Sequence, residues 1–216
     1  MFNKNLTHNK KYDIIFLLLK IKEDTLMCKC EEKVIIKFSR ENERCIIPTK
    51  TNDNAGYDLY ADPTIQAVLL APLETKPIST GIRSVIPENY YAQIQERGST
   101  GIKAMKYGAG VIDSSYRGIW NIVLTNCSDN MILLYDDKHV SLEEIDKFYE
   151  QLLSQSNLKV PYEVMKNHTV FYPISKAIAQ FVLLPVPKTE IIETTPEDIL
   201  SHETERMEGK FGSSGK

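Results

Sequence analysis

The chain has 216 residues, 42% of them hydrophobic and 25% charged, with a formal net charge of −3. That length suits one domain with additions; the apolar share builds a core but excludes a membrane-embedded body, and the charge excludes a broad nucleic-acid surface. The four cysteines, Cys28, Cys30, Cys45 and Cys127, show no paired zinc spacing, so reduced thiols in a cytoplasmic setting are expected.

Residues 1–32 read as an N-terminal extension. Ile14–Leu19 is an apolar run flanked by lysines, far short of the roughly 18–20 residues that span a bilayer. Basic residues ahead of it suit a signal peptide, but no small-residue cleavage site follows. Met27 stands just before the body of the chain, so residues 1–26 are expected to be an appended segment. Lys33–Phe38 reads as a first strand and Cys45–Pro48 as a short second one. Lys50–Asn54 is a polar loop leading into Ala55–Ala61. Ile65–Leu70 and Glu74–Thr80 follow as strands. Gly81–Ile86 and Tyr90–Glu96 are separated by a hairpin-type connection at Pro87–Asn89. Short strands at this spacing predict a sandwich, jelly roll or barrel.

Gly108–Asn126 concentrates chemistry. Gly108-Ala109-Gly110 allows positive φ and close approach of backbone to a ligand. Val111 and Ile112 suit a strand. Asp113 comes next, Ser114–Gly118 reads as a hairpin turn, and Ile119–Thr125 as the returning strand. An acid, an aromatic ring and a glycine-rich backbone thus share one turn. An isolated aspartate there would more simply cap its own turn.

Residues 129–175 read as an insertion built around a helix at Ser141–Ser156. Ser141 and Glu144 form a capping box, and Leu142, Ile145, Phe148, Tyr149, Leu152 and Leu153 share one face. That face must pack on the barrel, on a neighbouring subunit or on a separate protein partner. The insertion carries no candidate site residue and is expected to be dispensable for catalysis. Phe181–Leu184 suits a strand buried on both faces. Glu190–Glu193 reads as a last strand and Pro196–Leu200 as one helical turn. The domain body is therefore 33–200, and 201–216 is a polar, Gly/Ser-rich arm expected to be mobile.

Five stretches in order support a functional reading: Ala55-Gly56-Tyr57-Asp58-Leu59; Arg97-Gly98-Ser99-Thr100-Gly101; Gly110–Asp113 with Tyr116-Arg117-Gly118; Ala177-Ile178-Ala179-Gln180; and Arg206 with Gly209–Gly215. Together they resemble the trimeric dUTPase family. The resemblance implies an all-β, jelly-roll (β-clip) barrel assembled as a homotrimer with shared active sites. It implies hydrolysis of dUTP to dUMP and pyrophosphate with Mg2+, limiting uracil in DNA and supplying dUMP. No direct nucleic-acid or membrane contact is expected.

The chemistry fits the residues. Hydrolysis between the α and β phosphates needs a positioned water, neutralised phosphates and a selected base. Asp113, at a strand end, suits a general base that aligns the water. Asp58 is expected to support the site and touch magnesium through water, since that hard cation rides mainly on phosphate oxygens. The planar fork of Arg97 suits phosphate, with Gly98, Ser99 and Thr100 beside it. The resemblance implies that Gly110 and Val111 read uracil, that Tyr116 lies against the deoxyribose, and that Gln180 orients phosphate or water. It further implies that Phe211 stacks on the base while Arg206, Gly212, Ser213 and Ser214 hold the outer phosphates. One departure stands out. The family commonly has Arg-Ser-Ser or Arg-Ser-Gly, so Gly98 occupies the usual serine position. Either Ser99 supplies the hydroxyl or Gly98 supplies only an N–H.

Lys103 and Lys106 are expected to be solvated loop lysines, and the four histidines show no metal spacing. Two rivals are a dCTP deaminase and a regulatory or binding protein of the same fold that uses the inserted helix. The deaminase needs a glutamate where Val123 stands, and none occurs in Ile119–Asn126.

Overall fold

The structure, a computed structural model, describes residues 33–155 and 162–204. The strands are β1 (Lys37–Arg40), β2 (Gly56–Leu59), β3 (Ala67–Leu70), β4 (Thr75–Ser79), β5 (Ile82–Val85), β6 (Tyr90–Gln95), β7 (Met105–Gly108), β8 (Val111–Ile112), β9 (Asn121–Asn126), β10 (Met131–Tyr135), β11 (Thr169–Pro173) and β12 (Ala179–Pro185). The helices are α1 (Gly98–Gly101), α2 (Leu142–Gln155), α3 (Tyr162–Asn167) and α4 (Pro196–Ser201). The strands form small sheets in the orders β1-β5, β11-β10-β3, β2-β12-β6-β8 and β4-β9-β7. This is the expected all-β body.

The sheets wrap one apolar core. Strand alternation builds it: on β9, Ile122, Leu124 and Asn126 point inward while Asn121, Val123 and Thr125 do not. Trp120 is wholly buried and its indole N–H donates to Ser84 Oγ at 3.2 Å. Its ring packs edge-on against Phe38 and Phe181, and Phe181 stacks on Tyr57 at 4.8 Å. The inward amide of Asn126 is satisfied by the carbonyls of Leu70 and Asn130 and by the Ser128 hydroxyl, as a buried polar group must be.

A second, smaller core lies outside the barrel. Four consecutive residues of β10 are buried. Ile132 and Leu134 face the main core, whereas Met131 and Leu133 join Leu69 against Ile145 and Tyr149 of α2. Ile145, Tyr149 and Leu153 of α2 therefore pack on the outer face of this sheet, the first of the three coverings open in the sequence. The capping box forms: Ser141 N–H donates to Glu144 Oε2 at 2.8 Å, and Glu144 N–H to Ser141 Oγ at 3.2 Å.

Several boundaries differ from expectation. The ends of the presumed 129–175 insertion are strands: β10 pairs antiparallel with β3 and parallel with β11. Between β10 and β11 the described residues 136–155 and 162–168 belong to neither strand. No ladder joins β8 to β9 or β5 to β6; β8 pairs with β6, β9 with β4 and β7, and β5 with β1. Both expected hairpins are crossings between sheets, because each flanking strand finds its apolar neighbours elsewhere. Cys45–Pro48 forms no strand. A turn holds it instead, with Cys45 N–H donating to Asn42 O at 3.2 Å and the thiol buried. Residues 190–193 form no strand either and lie exposed, with Ile191 at 96%. Among the described residues no helix is long and apolar enough to cross a membrane.

Candidate active site

Sheet register brings three of the motifs together. Asp58 on β2 pairs with Gln180 on β12, which pairs with Gln95 on β6, two residues before Arg97. An open cleft of about 840 Å3 lies there, lined by the 49–55 loop, Gly56, Asp58, Arg97, Gly98, Ser99 and Gln180. Gly56 is a glycine for a local reason. A Cβ on it would come within 2.2 Å of Gln180 Oε1, so its absence lets the Gln180 side chain lie flat and donate to Glu96 O at 2.7 Å.

Arg97 is the most constrained side chain in the cleft. Its Nε donates to Asp58 Oδ1 at 2.8 Å and its Nη2 to Oδ2 at 3.3 Å. Its Nη1 donates to Ala177 O at 3.1 Å and to Ser99 Oγ at 3.2 Å. This bidentate pair fixes the guanidinium plane. It also engages both Asp58 oxygens. Among the described residues no group of three His, Cys, Asp or Glu side chains forms a metal cage.

The Ser99 hydroxyl lies in the cleft. Gly98 is exposed and meets nothing within 4 Å of an ideal Cβ, so packing does not demand a glycine where the family places serine. Thr100 differs from expectation. It is fully buried, its hydroxyl donating to Arg97 O and accepting from Arg97 N–H, so it shapes the loop and does not face the cleft. Behind Gln180, Tyr107 Oη donates to Ile178 O, and Tyr172 Oη to Ala177 O at 2.9 Å. Burial pushes the Tyr107 phenol up to about 12 and raises that of Tyr172. Both therefore act as neutral donors that pin the chain entering β12.

Lys50 is absent from the motif set, yet it lines the cleft. Its Nζ donates to Asn54 O at 2.8 Å and lies 4.9 Å from the Tyr57 ring centre. The only signal for it in the sequence is its place on the polar loop before the first motif.

Asp113 and Tyr116 lie elsewhere. The turn closes through backbone, Tyr116 N–H donating to Asp113 O at 3.1 Å. Among the described residues the exposed Asp113 carboxylate accepts no hydrogen bond, so it does not cap its own turn. Tyr116 is held down: its Oη donates to Ile119 O at 3.0 Å, and a Cβ on Gly118 would strike the ring at 2.4 Å. Arg117 and Arg83 brace the turn through the carbonyls of Ser114 and Arg117. Gly110 is a close-approach glycine, since a Cβ would meet Ile94 O at 2.8 Å; the positive φ falls on Ala109, at 47°. Val111 is half exposed.

Register gives the separation. Asp113 follows Ile112, which pairs with Ala92, three strands across and about four residues along from Asp58. At about 4.8 Å per strand and 3.4 Å per residue, that is roughly 20 Å. One chain therefore unites Asp58, Arg97, Ser99 and Gln180, but not Asp113, Tyr116 or Val111 with them. Arg206, Phe211, Gly212, Ser213 and Ser214 lie outside the described residues.

Residues 42–140 match the model of the dUTPase family. The deoxyuridine 5'-triphosphate nucleotidohydrolase of Wolbachia pipientis subsp. Culex pipiens is 32% identical over 188 residues, covering 85% of this chain and 96% of that one. The Nautilia profundicola enzyme of the same name is 30% identical, covering 84% and 99%. Among solved structures, a mutant dUTPase of Staphylococcus bacteriophage 80alpha with dUpNHpp superposes at a TM-score of 0.56 and 23% identity, over 84% of this chain and 99% of that one. The dUTPase of phage phi11 of S. aureus, which carries a species-specific insert, superposes at 0.51 with 18% identity, over 74% and 96%. A mutant of the phi11 enzyme coordinates a structural Mg(II) ion. With this fold, this ordered set of motifs and relatives matched over nearly their whole length, the chain belongs to the dUTPase family.

Proposed function

We propose that this chain is a dUTP diphosphatase, hydrolysing dUTP to dUMP and pyrophosphate in the cytoplasm as a homotrimer with shared active sites. One observation carries the reading. Asp58, Arg97, Ser99 and Gln180, drawn from three distant stretches, converge on one cleft, while Asp113 stands exposed and unbonded about 20 Å away. A second copy that sets its Asp113 turn against the cleft of the first completes the set.

In that arrangement the fixed Arg97 fork and the Ser99 hydroxyl bind phosphate, and Gln180 orients the phosphate or the attacking water. Asp113 takes the proton from that water as it attacks the α phosphorus. Gly110 and Val111 present backbone to the uracil edge, and Tyr116, held flat on Gly118, excludes a 2′-hydroxyl. Magnesium on the phosphate oxygens would meet Asp58 through water and neutralise charge as the phosphate chain separates. The arm 201–216, with Arg206, Phe211, Gly212, Ser213 and Ser214, closes over the outer phosphates and base. Ile145, Tyr149 and Leu153 of α2, on the face that a regulatory role would use to dock a partner, already pack on the sheet, and this favours catalysis. Pyrophosphate release measured across dUTP, dCTP, dTTP and UTP tests the proposal. Turnover of dUTP alone is expected; equal turnover of dTTP would overturn it.

A further inference from the structure

A second cavity, of about 430 Å3, adjoins the cleft at the Asp58–Arg97 pair. Its size falls within the roughly 300–1,000 Å3 of ligand-sized pockets. It shares Asp58, Arg97 and Ser99 with the cleft and adds Lys103, Tyr172, Ser175 and Lys176. The charge of the two differs. In the main cleft Lys50 and Arg97 face Asp53 and Asp58, a balanced set. In the second cavity Arg97, Lys103 and Lys176 face Asp58 alone.

What sets the two added lysines apart is their place beside Arg97 in one cavity, since most described lysines of this protein also lack an ion pair. Lys76, Lys106 and Lys166 each pair with a carboxylate, whereas Lys103 and Lys176 have no ion pair among the described residues. Asp137, which bonds the lining residue Ser175, is tied to the Ser175 N–H at 3.1 Å and hydroxyl at 2.7 Å. Lys103 follows α1, the turn that carries Ser99. Lys176 precedes Ala177, whose carbonyl holds Arg97. The backbone that places Arg97 thus also places two cations in the same cavity lining.

We infer that this cavity is a subsite for a diphosphate anion, with Lys103 and Lys176 as its cationic side chains. The inference rests on the phosphate-cleaving reading of the cleft. Uncompensated cations beside a shared arginine attract a polyanion, and this cavity adjoins the cleft at Arg97 and Ser99, where the phosphates would be held.

Inorganic pyrophosphate is the probe. Its binding to the full-length protein by titration calorimetry is compared for wild type, Lys103→Gln/Lys176→Gln and Lys103→Arg/Lys176→Arg. The glutamine pair is expected to weaken pyrophosphate at least tenfold, and the arginine pair to restore most of the loss. Affinity for dUMP is expected to change less than twofold. A rise in KM for dUTP alongside weaker pyrophosphate binding means that the substrate's own outer phosphates reach the cavity. An unchanged KM means that only the released product does. Pyrophosphate binding within twofold of wild type in a folded glutamine pair overturns the subsite, even if dUTP is hydrolysed. Lysine-dependent pyrophosphate binding without dUTP turnover keeps the subsite and sinks the catalytic reading.

Discussion

In the cleft, Arg97 makes four side-chain hydrogen bonds, and Asp58 and Gln180 are placed by neighbouring strands. At the turn, the backbone is equally well braced, but the Asp113 carboxylate meets nothing. The first region is finished within one chain. The second presents a reactive group that the chain itself never uses. In the proposed assembly the counterpart of that carboxylate lies on a second identical chain. On the proposed reading preorganisation is divided: binding geometry in one subunit, proton transfer in the next.

The largest expected effect comes from the unfinished half. Asp113→Asn should lower kcat by about 10²–10⁴-fold, the usual worth of a general base. It should leave the melting temperature unchanged, because no described bond is lost. A stable variant with wild-type kcat would remove Asp113 from the mechanism.

A change in the α2 layer should do the reverse. Tyr149 is wholly buried against Leu133, Met131 and Leu69 and bonds Thr169. Tyr149→Ala should cost roughly 3–5 kcal/mol of stability, as for other large buried aromatics, while activity per folded molecule survives. Denaturant unfolding beside a turnover assay checks both. An excision of the excursion must stay within residues 137–168, since cutting further would remove Ile132 and Leu134 from the main core.

Smaller still is an alkaline effect behind the cleft. Burial raises the Tyr107 phenol to about 12 in the fold, against about 10 unfolded. Below pH 10 both states are protonated and the contribution is intact. Between pH 10 and 12 the unfolded state loses its proton first, so stability falls as pH rises, by at most about 2–3 kcal/mol. Tyr107→Phe should flatten that part of the stability profile; an unchanged slope would contradict the assignment. The smallest change is at Gly98. Open space around it means that Gly98→Ser should fold normally and raise kcat/KM by a few-fold through an added hydroxyl donor, on the order of 1 kcal/mol. A fall in activity would show that Ser99 already fills that role.

Legibility followed range of interaction. Local signals read well: the α2 capping box and the inward spacing of Ile145 and Tyr149 formed as expected, and Phe181–Leu184 is a strand, although only Phe181 of that run is buried and Val182, Leu183 and Leu184 stay partly exposed. The motif residues were legible because each needs a particular side chain or a missing Cβ, as at Gly56 and Gly118. Strand partnership was not legible. Pro87–Asn89 and Ser114–Gly118 look like hairpin turns, and nothing local says that the next strand crosses to another sheet. Met131–Tyr135 is a plain apolar run, but its two-sided burial depends on α2, which comes later in the chain. Lys50, Lys103 and Lys176 are ordinary loop lysines until the fold sets them around Arg97.

Mixing two inactive variants tests the divided site most directly. Asp113→Asn chains keep an intact cleft, and Arg97→Ala chains keep an intact turn. After unfolding and refolding the two together at equal concentration, turnover of dUTP should recover to about one quarter of wild type, the share of neighbouring pairs that combine both intact halves. No recovery in assemblies proven to be mixed would mean that each chain works alone, and that Asp113 and Arg97 never meet across an interface.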